Sequence, residues 1–183
     1  MHKRSAVIDT SCVIALEAID ALRLLAVLFS RLWVPKAVRE DLFRRRRMKD
    51  RIRASFRAYA FVQPCSAYDQ GAVDVLLAER VRRRGKQHRG EAEAVVQAST
   101  LGAMAVIDDP WGRRLAQRHS LDCHGTIWIL EQLHALRLKR AGEIREALLT
   151  LRSRRIRIPL GAANDLLTRI GEKPIGPATP EAG

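Results

Sequence analysis

Two short stretches of the chain carry an apolar run straight into an acid. AVIDTS (6–11) brings Ala6, Val7 and Ile8 up to Asp9, with the hydroxyls of Thr10 and Ser11 next in line. AVIDD (105–109) brings the same run up to Asp108 and Asp109. A continuous apolar run without alternation reads as a strand covered on both faces, and ligand sites in parallel sheets lie beyond the carboxyl ends of the strands. A carboxylate buried there needs a cation or a ring of donors. The plainer alternative is that each acid caps the helix that follows its strand.

Helical phase, at about 100° per residue, selects two more acids. In VPKAVREDL (34–42), Asp41 lies about 60° from Val38, beside the stripe of Val34, Val38 and Leu42, whereas Glu40 lies about 160° away. In GEAEAVVQASTLG (90–102), Glu91 shares its angle with Val95 and Ala98, while Glu93 groups with Gln97 and Thr100 on the polar side. Glu40 and Glu93 therefore read as surface charge. For Glu91, an acid placed in a first helical turn to meet the helix dipole is the simpler account. Four carboxylates near a core, with no matching set of buried cations, suit hard ions such as Mg²⁺ or Mn²⁺. Such an ion lowers the pKa of a coordinated water and neutralises charge on a phosphodiester, so metal-dependent phosphodiester hydrolysis is the chemistry these residues favour.

The elements that must hold these acids alternate between strand and helix. Strands are expected at 5–9, 32–35, 58–65 and 103–109 (AMAVIDD), with a short one through HSLDCHGT (119–126) and an edge strand at RIRIP (155–159). Helices are expected at 11–18 and 21–30, split near Asp20. Further helices are expected from 36 into FRRRRMKDRIR, at 67–84, at 91–101 closed by Gly102, after Pro110, and at 127–138, 143–153 and 162–171. HRG (88–90) reads as a loop. The alternation predicts an α/β fold with a mostly parallel sheet between helical layers. One domain over residues 1–172 is expected, and 173–183, rich in Pro and Gly, is expected to be a disordered tail.

The chain has 183 residues and a formal net charge of +13, from 33 Lys and Arg against 20 Asp and Glu. Such an excess points to a polyanionic partner. FRRRRMKDRIRASFR and RVRRRGKQHR hold much of it, so Arg44, Arg45, Arg46, Arg47, Arg82, Arg83 and Arg84 are the candidates for contact with RNA or an acidic partner, against the alternative of a solvated face. Three scattered cysteines (Cys12, Cys65, Cys123) suggest reduced thiols and a cytoplasmic protein. The five histidines show no H-x-x-x-H or H-E-x-x-H spacing, against a zinc site. Neither a signal peptide nor a membrane span is expected.

VIDTS, VPKAVREDL, RGEAEAVVQAS and AVIDD, in this order and spacing, resemble the PIN-domain nucleases over about residues 5–160. RGEAEA followed by VIDD, and the basic LKRAGEI, are most similar to the VapC-like toxins of toxin–antitoxin pairs. The resemblance implies a PIN-like three-layer α/β/α fold and a Mg²⁺- or Mn²⁺-dependent endoribonuclease. Its partners would be RNA and a small antitoxin protein, with a homodimer open. The metal-binding acids fall on Asp9, Asp41, Glu91 and Asp109. Thr10 or Ser11 is the accompanying hydroxyl, Asp108 an alternative to Asp109, and Glu40 an alternative to Asp41. Asp41 stands where the family usually has Glu, a shorter arm. That departure supports a rival reading, a catalytically weak PIN module that binds RNA or a protein. A receiver-type phosphoacceptor domain is disfavoured, because hydroxyls rather than a second acid follow Asp9.

Overall fold

The AVI runs form neighbouring central strands. The structure is a computed structural model describing residues 3–44, 49–65, 69–78 and 88–176. Its strands are β1 (Arg4–Ile8), β2 (Phe29–Pro35), β3 (Val62–Cys65), β4 (Met104–Val106) and β5 (Cys123–His124), all parallel in the order β3-β2-β1-β4-β5. The chain builds outward from β1 through β2 to β3, then crosses back to lay β4 on the other side of β1. The direction of winding therefore reverses between β1 and β4, where the carboxyl ends of the strands leave a crevice. Ile8 is in register with Val106, so Asp9 leaves the sheet level with Ile107 and next to Asp108, whose backbone N–H reaches its carboxylate.

Helices cover both faces. Ala6, Ile8, Leu32, Val34, Val62 and Val106 face one apolar layer, which also takes residues from α1 (Thr10–Ala18), the turn α2 (Leu25–Leu28), α3 (Lys36–Arg44) and α4 (Lys49–Ala58). Val7, Ala105 and Ile107 face the other layer, formed with α5 (Gln70–Ala78), α6 (Arg89–Leu101) and α7 (Pro110–Arg118). The period of two along each strand thus buries both faces, as the unbroken apolar runs require. A third cluster joins α8 (Thr126–Ala135) to α9 (Ala141–Ser153) and α10 (Leu160–Arg169). The result is a PIN-like α/β/α fold. Among the described residues no helix is long and apolar enough to cross a membrane.

Several expectations hold in detail. Gly102 closes α6 in the left-handed conformation at φ 56°. Asp20, at φ 52°, breaks the chain after α1. Others are corrected. Residues 21–30 are not one helix but a 3₁₀ turn and α2, and β2 begins earlier, at Phe29, than the expected 32. HRG is not all loop, because α6 begins at Arg89. RIRIP is not an edge strand. Arg155 ends α9 in the left-handed conformation at φ 56°, and Ile156 and Ile158 turn onto Ala15, Ala18 and Leu151 between helices. Their alternation is satisfied by a helical surface, so no sheet edge is needed. Ile175, within the expected tail, is buried and donates its backbone N–H to Asn164 Oδ1 at 2.9 Å, while residues 177–183 lie outside the described residues.

Candidate active site

Asp9 stands in the crevice with 1% of its surface exposed. It caps α1: Oδ1 accepts the Cys12 backbone N–H at 2.7 Å. Oδ2 accepts the Ser11 hydroxyl at 2.9 Å and the Asp108 backbone N–H at 3.2 Å. Burial, and then the neighbouring Asp108 carboxylate, push its pKa up to about 7 despite these donors. Capping alone does not explain this placement, since a cap at a helix end open to water leaves its carboxylate solvated.

Asp108 and Asp109, adjacent in sequence, turn to different tasks. Asp108 Oδ1 accepts the Thr126 backbone N–H at 2.9 Å and Oδ2 the Thr126 hydroxyl, which ties the end of β4 to the start of α8. Gly125 is required there, because a Cβ would stand 2.3 Å from Asp108 Oδ1. Asp109 caps α7, accepting the N–H groups of Trp111 at 2.8 Å and Gly112 at 3.0 Å on Oδ1.

Glu91, in the first turn of α6, approaches Asp109 from the neighbouring helix of the same layer. Gly112 admits it, since a Cβ at that position would meet Glu91 Cβ and Cγ at 3.2 Å. His88, the residue before α6, closes the group. Its Nδ1 lies 3.5 Å from Glu91 Oε1 and 3.9 Å from Asp109 Oδ1, and its ring leans on Trp111 with centroids 5.4 Å apart. One ligand atom from each of His88, Glu91 and Asp109 lies within 4.8 Å of the other two, a donor set and spacing that fit a divalent cation. Sequence reasoning missed His88. The signal was available, because H-R-G-E places His88 and Glu91 three residues apart, neighbours across a helical turn.

The remaining candidates divide. The Thr10 hydroxyl lies beside α6, 3.7 Å from where a Cβ at Gly90 would stand. Asp41 is half-buried on α3 and Glu40 is exposed, the order that helical phase predicts. Glu40 pairs with Arg44 at 3.7 Å, and Asp41 is not among the residues that form the ligand cluster. Arg45, Arg46, Arg47, Arg82, Arg83 and Arg84 lie outside the described residues.

Glu93 is a correction. It is not surface charge: it is 1% exposed and accepts the Ala37 backbone N–H at 2.8 Å and Arg89 Nε at 3.0 Å. The polar side of α6 is covered because α3 and α5 pack against it. The side-chain amide of Gln97 is buried there as well.

A family model for the PIN domain matches residues 5–172. The chain belongs to the PIN-domain family. No curated protein matches it at a significant level. PIN-domain membership accords with the parallel sheet, with the crevice at its winding reversal and with the acids gathered there. PIN domains are in general metal-dependent nucleases. In this PIN domain, Asp9 and Asp108 are neighbours at the ends of β1 and β4, and Glu91 and Asp109 converge with His88 at the starts of α6 and α7.

From Asp108 and Asp109 a groove of about 1280 Å³ runs over α7 and α8 toward α10. Arg113, Arg114, Arg157 and Arg169 line it. So do His124 and Trp128, whose rings stack 4.2 Å apart at an interplanar angle of 19°. None of these six residues stood out in the sequence, because they come from four separate segments.

Proposed function

We propose that this PIN domain is a Mg²⁺- or Mn²⁺-dependent endoribonuclease. The observation that carries the reading is the continuity of the acid-lined crevice with the arginine-lined groove. Carboxylates at one end suit the cation, and the guanidinium groups of Arg113, Arg114, Arg157 and Arg169, interspersed with Glu131 and Asp165, suit a phosphodiester chain. Glu91 and Asp109 would hold the ion, with Asp9 and Asp108 beside them. When bound, the ion supplies Lewis acidity toward the phosphodiester and its attacking water. Thr126 fixes the Asp108 carboxylate, and Ser11 and the Cys12 N–H fix that of Asp9. Arg113, anchored to the Ile107 carbonyl at 3.2 Å, stands where phosphate charge needs neutralising. Water adds across a P–O bond, leaving a phosphate ester on one fragment and a hydroxyl on the other.

The stacked His124 and Trp128 favour RNA with unpaired bases. The likeness of RGEAEA and VIDD to the VapC-like branch, with the charge of +13, supports a role as the toxin of a toxin–antitoxin pair, neutralised by a small antitoxin protein. The cytoplasm is the compartment that matches three scattered cysteines with no C-x-x-C pair.

Cleavage of end-labelled RNA by EDTA-treated protein tests the reading. Cutting is expected only after Mn²⁺ or Mg²⁺ is restored, with a loss of 100-fold or more in Glu91→Gln and Asp109→Asn and near-parent activity in Glu40→Ala. Cleavage that persists in EDTA would sink it. A second reading, a PIN module that binds RNA or protein without efficient cleavage, is favoured by the position of Asp41 outside the ligand cluster. Tight RNA binding without metal-dependent cutting by the parent would establish that reading instead.

A further inference from the structure

The metal ligands expected from the sequence are all oxygens. The site contains a nitrogen. His88 Nδ1 stands 3.5 Å from Glu91 Oε1 and 3.9 Å from Asp109 Oδ1. Both separations exceed a good hydrogen bond. They approach the roughly 3–3.5 Å that separates two donors each about 2.1 Å from a shared ion. The His88, Glu91 and Asp109 side chains retain only 16%, 19% and 23% exposure, so their polar atoms converge on a small, partly dry volume. The Trp111 ring lies against the imidazole, tilted 56° with centroids 5.4 Å apart.

We propose that His88 is a direct ligand of the divalent cation, making the centre a mixed nitrogen–oxygen site that selects Mn²⁺, and other first-row ions that accept imidazole, over Mg²⁺. The inference rests on the metal-dependent reading of the site and adds the identity of one ligand and the resulting selectivity. Imidazole suits first-row transition ions, whereas Mg²⁺ favours carboxylate, carbonyl and water oxygens. The neutral ring carries one proton, and with that proton on Nε2 the Nδ1 lone pair faces Glu91 and Asp109. A plain ion pair between protonated His88 and the two acids is the alternative, and it predicts no contact between nitrogen and metal.

Pulsed electron paramagnetic resonance of Mn²⁺ bound to the full chain separates these, because a directly coordinated imidazole imposes ¹⁴N coupling on the Mn²⁺ signal. The parent is expected to show that coupling and His88→Gln to lack it. By calorimetry, His88→Gln should lose tenfold or more in Co²⁺ affinity while Mg²⁺ affinity changes by less than threefold. His88→Asp, which restores an oxygen donor, should bind Mg²⁺ at least as well as the parent. Bound Mn²⁺ that is lost in Glu91→Gln but shows no ¹⁴N coupling in the parent overturns the His88 assignment while leaving the metal centre intact. Absence of any Mn²⁺ binding by the parent overturns both. The parent spectrum needs no variant to fold, so it decides by itself.

Discussion

Asp9 is the residue on which burial and charge pull hardest. Its folded pKa of about 7 stands above its ordinary value of 3.8, so folding favours the protonated carboxyl. The sign follows from proton counting. Between about pH 4 and 7 the folded state holds a proton that the unfolded chain has lost, so stability falls as pH rises through that window. The contribution is fully present below pH 4 and gone above pH 7. Asp9→Asn carries no such titration. In EDTA, the melting temperature of the parent should therefore decline relative to Asp9→Asn between pH 4.5 and 7.5, whatever the offset between them. Parallel curves would show that Asp9 is ionised throughout. An arriving cation reverses the balance by favouring the carboxylate, so metal binding near neutral pH should release protons.

At the scale of elements, α6 uses two acids for two unlike purposes. Glu91, in the first turn, faces Asp109 and α7; Glu93 faces α3 and receives its Ala37 N–H. Removing a cap of this kind, together with a charged partner of Arg89, costs about 2 kcal/mol. Glu93→Ala is thus expected to lower the urea midpoint while still binding Mn²⁺. Glu91→Gln should keep the midpoint within error and lose Mn²⁺. If the Glu93 variant is as stable as the parent, the Ala37 contact contributes little to holding α3 in place. The two acids differ by two residues, about 200° of helix, enough to place them against different neighbours.

On the scale of the whole molecule, the acids and the arginines oppose each other in sign but share one groove. Affinity for a phosphodiester chain should come from the cations, and each phosphate contact removed should lower the salt slope of binding by roughly one unit. Arg157 is exposed and lines the groove; Arg23 is exposed, pairs with Asp20 at 3.8 Å and does not line it. Arg157→Ala should weaken RNA binding and reduce the slope, and Arg23→Ala should leave both unchanged. A filter-binding series against KCl checks this. An unchanged slope for Arg157→Ala would move the RNA surface elsewhere, most directly to the arginine runs around residues 44–47 and 82–84.

Much was legible in local pattern. Unbroken apolar runs specified doubly covered strands, because a strand with one wet face must alternate. Asp9, Asp108 and Asp109 followed those runs without a gap, so their place at strand ends needed no tertiary information. Gly102 marked a helix end because it alone takes a positive φ freely, and the 100° step separated Asp41 from Glu40 correctly. Tertiary structure decided the rest. Periodicity reports which side of a helix is polar, not whether another helix lies over that side, so Glu93 could not be recognised as buried before α3 was in place. Ile156 and Ile158 alternate as an edge strand does, yet a neighbouring helical surface satisfies them equally well. The division of labour between Asp108 and Asp109 depends on Thr126 and α7, which only folding brings to them. His88 shares a helical turn with Glu91 in the sequence, but its nearness to Asp109, twenty-one residues on, arises because α6 and α7 converge at one end of the sheet. The groove arginines come from separate helices and a loop, and their common surface exists only once those segments are packed.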